Sequence, residues 1–189
     1  MIYLASQSPR RRELLDQIGV HYQCIPADID ETPLPAENPR DYVRRMAIGK
    51  AENIHQTHSD HPVLGSDTSV VLNNRILGKP ECKKDAVEML MSLSARSHQV
   101  LTGIALVHEE TDYRLSVSEV LFRQISRAEA ERYWASGEPT DKAGGYGIQG
   151  LAAIFVQSIS GSYSGIMGLP LFETAQLLQQ IAEPIWTEV

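Results

Sequence analysis

The chain has 189 residues, 42% of them hydrophobic and 22% charged, a balance that supports one well-buried globular core and excludes intrinsic disorder. Its 24 acidic residues outnumber its 17 lysines and arginines, giving a net charge of -7, which argues against a general nucleic-acid binder. No apolar run approaches the roughly 20 residues of a membrane helix, and Met1-Ile-Tyr-Leu-Ala5 lacks the basic and long apolar regions of a secretory signal. Cys24 and Cys82 have neither metal-ligand spacing nor the number for a disulfide framework, so a cytoplasmic protein with no membrane or nucleic-acid partner is expected.

In chain order, residues 2–5 read as a short buried strand, and Ser8-Pro9 opens a helix over 9–18 with Leu14, Leu15 and Ile18 inward and Gly19 closing it. Residues 20–25 read as a second strand, followed by the acidic turn Asp28-Ile-Asp-Glu31. Pro33, Pro35 and Pro39 keep the chain irregular up to a helix over 41–55, with Tyr42, Val43, Met46, Ala47 and Ile54 near its apolar side. Residues 62–72 are apolar at both parities, which predicts a strand buried on both faces, and Asn73-Asn74 turns it into a short return over 75–77. An amphipathic helix follows over 83–93, then strands over 99–109 and 115–125 paired antiparallel across 110–114. Ser126 with Glu129 forms a capping box for a helix reaching Ser136. Beyond the glycine-dense 141–150 come a strand over 155–159, a loop over 161–168 and a last helix over 170–181. Strands and helices alternating around an inserted hairpin predict a single α/β domain with a mixed sheet over 1–189, without repeats or linkers.

Three features carry chemistry. Arg10, Arg11 and Arg12 open the first helix, where the positive end of the dipole favours carboxylates instead. Free N–H groups and guanidinium forks at one point suit an anion, phosphate above all; the alternative is solvated arginines paired with Glu13 or Asp16. Second, Asp67 interrupts the buried run Val63-Leu-Gly-Ser-Asp-Thr-Ser-Val-Val71, where a carboxylate is costly unless paired, protonated or bound to a cation. It reads as a magnesium-type ligand, as a base orienting water, or as a structural cap working through Ser66 or Thr68. Gly65 before it admits another backbone or a ligand. Third, the segment Asp141-Lys-Ala-Gly-Gly-Tyr-Gly-Ile-Gln-Gly150 exposes backbone donors that could wrap a ligand, with Gln149 placed to read a base edge and Tyr146 to pack on one. A tight connection needing positive φ would use the same glycines.

Glu31 could supply a second carboxylate or simply belong to a solvated turn; Lys50 and Lys79 are candidate phosphate ligands, Lys79 being fixed between glycine and proline. Neither the Walker nor the dinucleotide spacing occurs. His55, His58 and His61 invite a zinc reading that their polar loop and lack of a nearby cysteine disfavour. Ser6 and Ser8 lack a local histidine–aspartate context for a serine hydrolase.

Taken in order, Ser6-x-Ser-Pro-Arg-Arg-x-Glu-Leu-Leu, Gly65-Ser-Asp-Thr-x-Val, Gly78-Lys-Pro, Asp141-Lys-Ala-Gly-x-Tyr-Gly-Ile-Gln-Gly and Gly161-Ser-Tyr-Ser-Gly-Ile-Met-Gly-Leu-Pro170 resemble the Maf family of nucleotide pyrophosphatases. The resemblance implies a two-lobed mixed α/β fold similar to that of inosine triphosphate pyrophosphatases, with a central cleft, and frequent homodimers. It implies hydrolysis of a nucleoside triphosphate between the α and β phosphates with a divalent cation, Mg2+ or Mn2+. Carried over by position, Ser6, Arg10 and Arg11 bind phosphate, Lys50 and Lys79 neutralise the triphosphate, and Gln149 is a late polar residue of the cleft. Glu31 and Asp67 are the acidic positions for metal, Asp67 also serving as the base. Arg12 falls at a variable position and is expected to be a surface charge. Arg-Arg after Ser8-Pro9, the Asp67-Thr68 pair and the 141–150 segment resemble the branch acting on dTTP and UTP rather than 7-methyl-GTP. Ser66 stands where alanine is common and Ala95 where glycine is common. A nucleotide-binding regulator of cell division without turnover is the alternative that the family admits.

Overall fold

Alternating side chains along the strands divide the apolar residues between two faces of one sheet, and the helices follow that division. The computed structural model describes residues 1–186. Its strands are β1 (Ile2–Leu4), β2 (Tyr22–Cys24), β3 (Val63–Leu72), β4 (Arg75–Leu77), β5 (Ser97–Val107), β6 (Thr111–Phe122) and β7 (Val156–Ser160). They form a 7-stranded mixed sheet of order β2-β1-β3-β5-β6-β7, with β4 also on β3. β1 runs parallel to β2 and β3, and the remaining pairs are antiparallel. The helices are α1 (Pro9–Gln17), α2 (Pro39–His55), α3 (Lys83–Leu93), α4 (Arg127–Ala135), α5 (Tyr163–Met167) and α6 (Leu171–Gln180).

One face of the sheet packs on α2. Val63, Val71, Leu101, Ala105 and Val107 meet Tyr42, Val43, Met46, Ala47 and Ala51 there. The other face carries the larger core, where Leu64, Val70, Val100, Ile104 and Phe122 gather with Leu14, Leu15, Leu90 and Leu178. Each such side chain removed from water contributes roughly 1.5–3 kcal/mol. β3 is thus buried on both faces, as its unbroken apolar pattern predicts.

Two glycines let α2 lie directly on the sheet. A Cβ on Gly65 would overlap the Ala47 carbonyl oxygen, and one on Gly103 would sit 2.8 Å from the Val43 carbonyl oxygen. Gly103 pairs with Asp67 across the β3–β5 ladder, so this close approach brings the helix over the one acidic residue of β3. The opposite edge of β3 is interrupted. β1 pairs with Val63 and Leu64, and β4 pairs with Val70 to Leu72. Among the described strand pairs, 65–69 have no neighbour on that edge, and a cleft opens between β1 and β4.

Several boundaries differ from expectation for identifiable reasons. α2 begins at Pro39 rather than 41, because Asn38 accepts from the Arg40 N–H at 2.8 Å and proline fits the first helical turn. The β5–β6 connection shrinks to 108–110: Val107 already pairs with Thr111, since a backbone ladder needs no apolar side chains at 111–114. The expected loop over 161–168 contains α5, capped by the Ser162 hydroxyl accepting from the Gly165 N–H at 3.0 Å. Ala95 holds φ 55, in the left-handed region that favours glycine.

Candidate active site

The cleft, about 1110 Å³ in volume, is lined by the ends of β1 and α1, the middle of β3, Lys50 of α2, the β4 turn and the 141–150 segment. It gathers the eight residues that the resemblance assigns to phosphate, metal or the late polar position of the cleft. Ser6, Arg10 and Arg11 come from the first motif, Glu31 and Lys50 from the acidic turn and α2, and Asp67, Lys79 and Gln149 from the later segments.

At the mouth of α1, Ser8 occupies the N-cap position with extended backbone but makes no side-chain cap. Ser6 instead takes the Ser8 N–H at 3.2 Å and an Arg11 N–H at 3.0 Å on its Oγ. With both bonds accepted, its own proton is left to donate to an anion. Arg11 also donates from Nε to the Gly168 carbonyl at 2.9 Å and from Nη2 to Thr68 Oγ1 at 3.4 Å. Three of its five N–H groups are thus used for positioning among the described residues, and two remain for a ligand. Burial depresses the Arg11 pKa, and the charge of Asp67 opposes that shift. Arg10 lines the cleft, whereas Arg12 is exposed and outside it. The cluster therefore divides in space, Arg10 and Arg11 on the cleft and Arg12 toward solvent.

On the facing wall, Lys50 Nζ lies 2.8 Å from Asp67 Oδ1 and 2.7 Å from Glu31 Oε1. The lysine and the aspartate are buried, at 8% and 7% exposure, so each supplies the charge the other needs out of water. Lys50 is therefore not the solvent-facing helix lysine that its sequence context allowed. Burial pushes the Glu31 carboxyl up, but the Lys50 hydrogen bond and charge, with Lys79 and Arg11, outweigh it and hold Glu31 below its ordinary pKa. Tyr42 steadies this turn by donating to the Glu31 carbonyl at 2.9 Å. The turn is not merely solvated. Asp67 does not cap a local turn either, since Ser66 donates to the Gly168 carbonyl at 2.9 Å and Thr68 meets Arg11.

The glycine-dense segment closes the cleft. Gly144 and Gly145 both take φ +68, and Gly144 N–H donates to the Gly78 carbonyl at 2.9 Å, tying the segment to the turn that carries Lys79. Gln149 is exposed in the cleft. Tyr146 lines the cleft but is held from the core: its ring stacks edge-on with Phe122 at 4.8 Å and its hydroxyl meets His98 Nε2 at 2.8 Å. His58 and His61 flank the Tyr3 ring at 5.6 and 5.3 Å, and no cluster of three metal-ligating side chains occurs among the described residues.

Other residues that hold the site gave no sequence signal of their own. Thr102 Oγ1 lies 3.0 Å from Thr68 Oγ1 and its hydroxyl donates to the Gly165 carbonyl at 2.7 Å, fastening α5 behind Arg11. Thr102 sits in an ordinary strand pattern, so only register reveals it. Glu138 lines the cleft and reaches back to 151–152 of the chain.

The chain is 56% identical to a protein of Alkalilimnicola ehrlichii named dTTP/UTP pyrophosphatase, over 95% of this chain and 92% of that protein. It is 52% identical to one of the same name from Saccharophagus degradans, over 98% and 90%. Among solved structures, a HAM1 protein from Coxiella burnetii matches with a TM-score of 0.51 at 20% identity, over 95% of this chain and 98% of that one. That likeness bears on fold alone, and agrees with the inosine triphosphate pyrophosphatase-like architecture expected from the sequence. The description of the Maf-like proteins matches residues 1–181, and this chain belongs to the Maf family.

Proposed function

We propose that this protein hydrolyses dTTP and UTP, and modified pyrimidine triphosphates, to the monophosphate and pyrophosphate. One observation carries the reading: anion donors and a lysine-bridged pair of carboxylates face each other across a single cleft. The names of its relatives at 56% and 52% identity support the choice of substrate.

In this reading the triphosphate lies between the two walls. Ser6, Arg10, Arg11 and Lys79 hold the β and γ phosphates and take up the charge that develops on departing pyrophosphate. Asp67 accepts a proton from a water molecule as its oxygen bonds to the α phosphorus, and the bond from that phosphorus to the bridging oxygen breaks. Lys50 keeps the carboxylate wall compensated while the triphosphate is bound. Gln149, carrying both an amide donor and an acceptor, reads the base edge.

A divalent cation, Mg2+ or Mn2+, belongs to the same proposal. Magnesium uses one or two carboxylates together with substrate phosphates. Glu31 and Asp67, without a third acidic, histidine or cysteine ligand among the described residues, fit an ion that arrives with the nucleotide. Such an ion would neutralise charge on the phosphoryl oxygens. A cytoplasmic homodimer completes the reading, and light scattering on the purified protein tests the dimer.

Pyrophosphate release from dTTP, UTP, CTP and 7-methyl-GTP, with magnesium or manganese, tests the activity. Turnover of the first two with little of the last is expected. Nucleotide binding without pyrophosphate release would overturn the proposal.

A further inference from the structure

The geometry points to Glu138 as a positioning residue that sets nucleobase discrimination by fixing the loop that presents Gln149; the inference rests on the nucleotide reading above. Glu138 follows Gly137, whose φ of +78 turns the chain out of α4 and back toward the cleft. Its carboxylate accepts from the Leu151 N–H on Oε2 at 2.8 Å and from the Tyr133 hydroxyl on Oε1 at 2.8 Å. The Tyr133 hydroxyl oxygen in turn takes the Gly147 N–H at 3.1 Å. One carboxylate therefore holds both ends of 147–151, directly at Leu151 and through Tyr133 at Gly147. Gly150 makes room for it, because a Cβ there would overlap both Glu138 carboxylate oxygens. Between the two anchors, Ile148 is buried in the core and Gln149 projects into the cleft. Lys142 fixes the other side of Glu138 by donating to its backbone carbonyl at 2.7 Å and pairing with Asp141 at the same distance.

The consequence is a division of labour. None of the anchors of this buckle is a residue that holds phosphate in the reading above. The buckle controls where Gln149 stands; alanine at 138 reaches neither end, and glutamine can reach both only by accepting at one and donating at the other. Glutamine offers one acceptor oxygen where glutamate offers two.

The test compares Glu138→Gln, Glu138→Ala and Tyr133→Phe with the wild type, reading KM and kcat on dTTP, UTP and a purine triphosphate, and inhibition by inorganic tripolyphosphate. Glu138→Ala is expected to raise KM for dTTP by about tenfold, the loss of one aligned hydrogen bond, with kcat held within about threefold. The preference for pyrimidine over purine narrows, while tripolyphosphate, which has no base, inhibits as before. Glu138→Gln and Tyr133→Phe give smaller changes in the same direction, and Tyr133→Phe keeps the test open if Glu138→Ala does not fold. Unchanged base preference in folded variants of an active wild type overturns this inference alone. A parallel loss of tripolyphosphate inhibition and kcat also overturns it, since that marks general damage to the cleft. A wild type that hydrolyses no triphosphate overturns the parent reading and this inference with it.

Discussion

Lys50→Met removes the ammonium that joins two carboxylates while keeping most of its alkyl stem, so the effect is one of charge rather than packing. The two arms of the bridge are unequal. Asp67 and Lys50 side chains are each 10% exposed, whereas Glu31 is 51% exposed. Removing one partner of a buried pair costs ~3–5 kcal/mol, while a half-exposed arm is worth at most ~1 kcal/mol. Cleft water relieves part of the burden on Asp67, so the expected loss is about 3 kcal/mol. For a chain of this size that corresponds to a fall in Tm of roughly 6–12 °C. Adding Asp67→Asn to Lys50→Met removes the stranded charge, and the double variant should be more stable than the single by about 2 kcal/mol. Urea unfolding at neutral pH, followed by linear extrapolation, measures both differences. A loss below about 1 kcal/mol in Lys50→Met, or a double variant no more stable than the single, would refute charge compensation as the reason for this lysine.

Asp67→Asn alone should leave the fold intact, since the carboxamide oxygen still accepts from Lys50, but lower turnover a hundredfold or more, within the range of a lost base; near wild-type pyrophosphate release would sink its assigned role. Arg11→Ala should raise KM for dTTP by about tenfold or more by freeing Ser6, Thr68 and Gly168 together, whereas Arg12→Ala, at an exposed position, should stay within about twofold. Steady-state kinetics on the two variants reads the contrast. Burial pushes the His98 pKa down to about 4, below its ordinary 6.5. The unfolded chain therefore binds the extra proton first, and this stability is whole above pH 6.5 and lost as pH falls toward 4, in total about 3 kcal/mol. His98→Gln should lack that part of the slope in unfolding measured across the range. Ala95→Gly should gain up to about 1 kcal/mol by relieving positive φ, and an unchanged or lower Tm would contradict that account.

Much of this was legible in the sequence, because its signals were local. Arg10 and Arg11 stand where a helix dipole makes them conspicuous, and Asp67 stands where a buried strand makes a carboxylate conspicuous. The glycines of 141–150 announced a segment of unusual backbone. What escaped depended on register or on long-range contact. Nothing near Lys50 in sequence tells that a bare glycine on β3 brings its helix down onto Asp67. Thr102 is visible only once Asp67 is known to pair with Gly103, one ladder step away. Glu138 reads as an ordinary charge after a glycine until the chain returns at Leu151 to meet it. Tyr146 was legible only in part: its place beside the cleft follows from the glycine-rich segment, but the contacts of its ring with His98 and Phe122 are long-range.

The glycine contact between α2 and the sheet has a mechanical consequence. Where backbone touches backbone, no side chain lies between to change rotamer, so the wall carrying Lys50 and Asp67 moves as one body or not at all. The opposite wall is softer. Its contacts run through long arginine and lysine side chains and through a loop held by one carboxylate. Adjustment to different guests therefore falls to that side, while Lys50 and Asp67 keep their spacing.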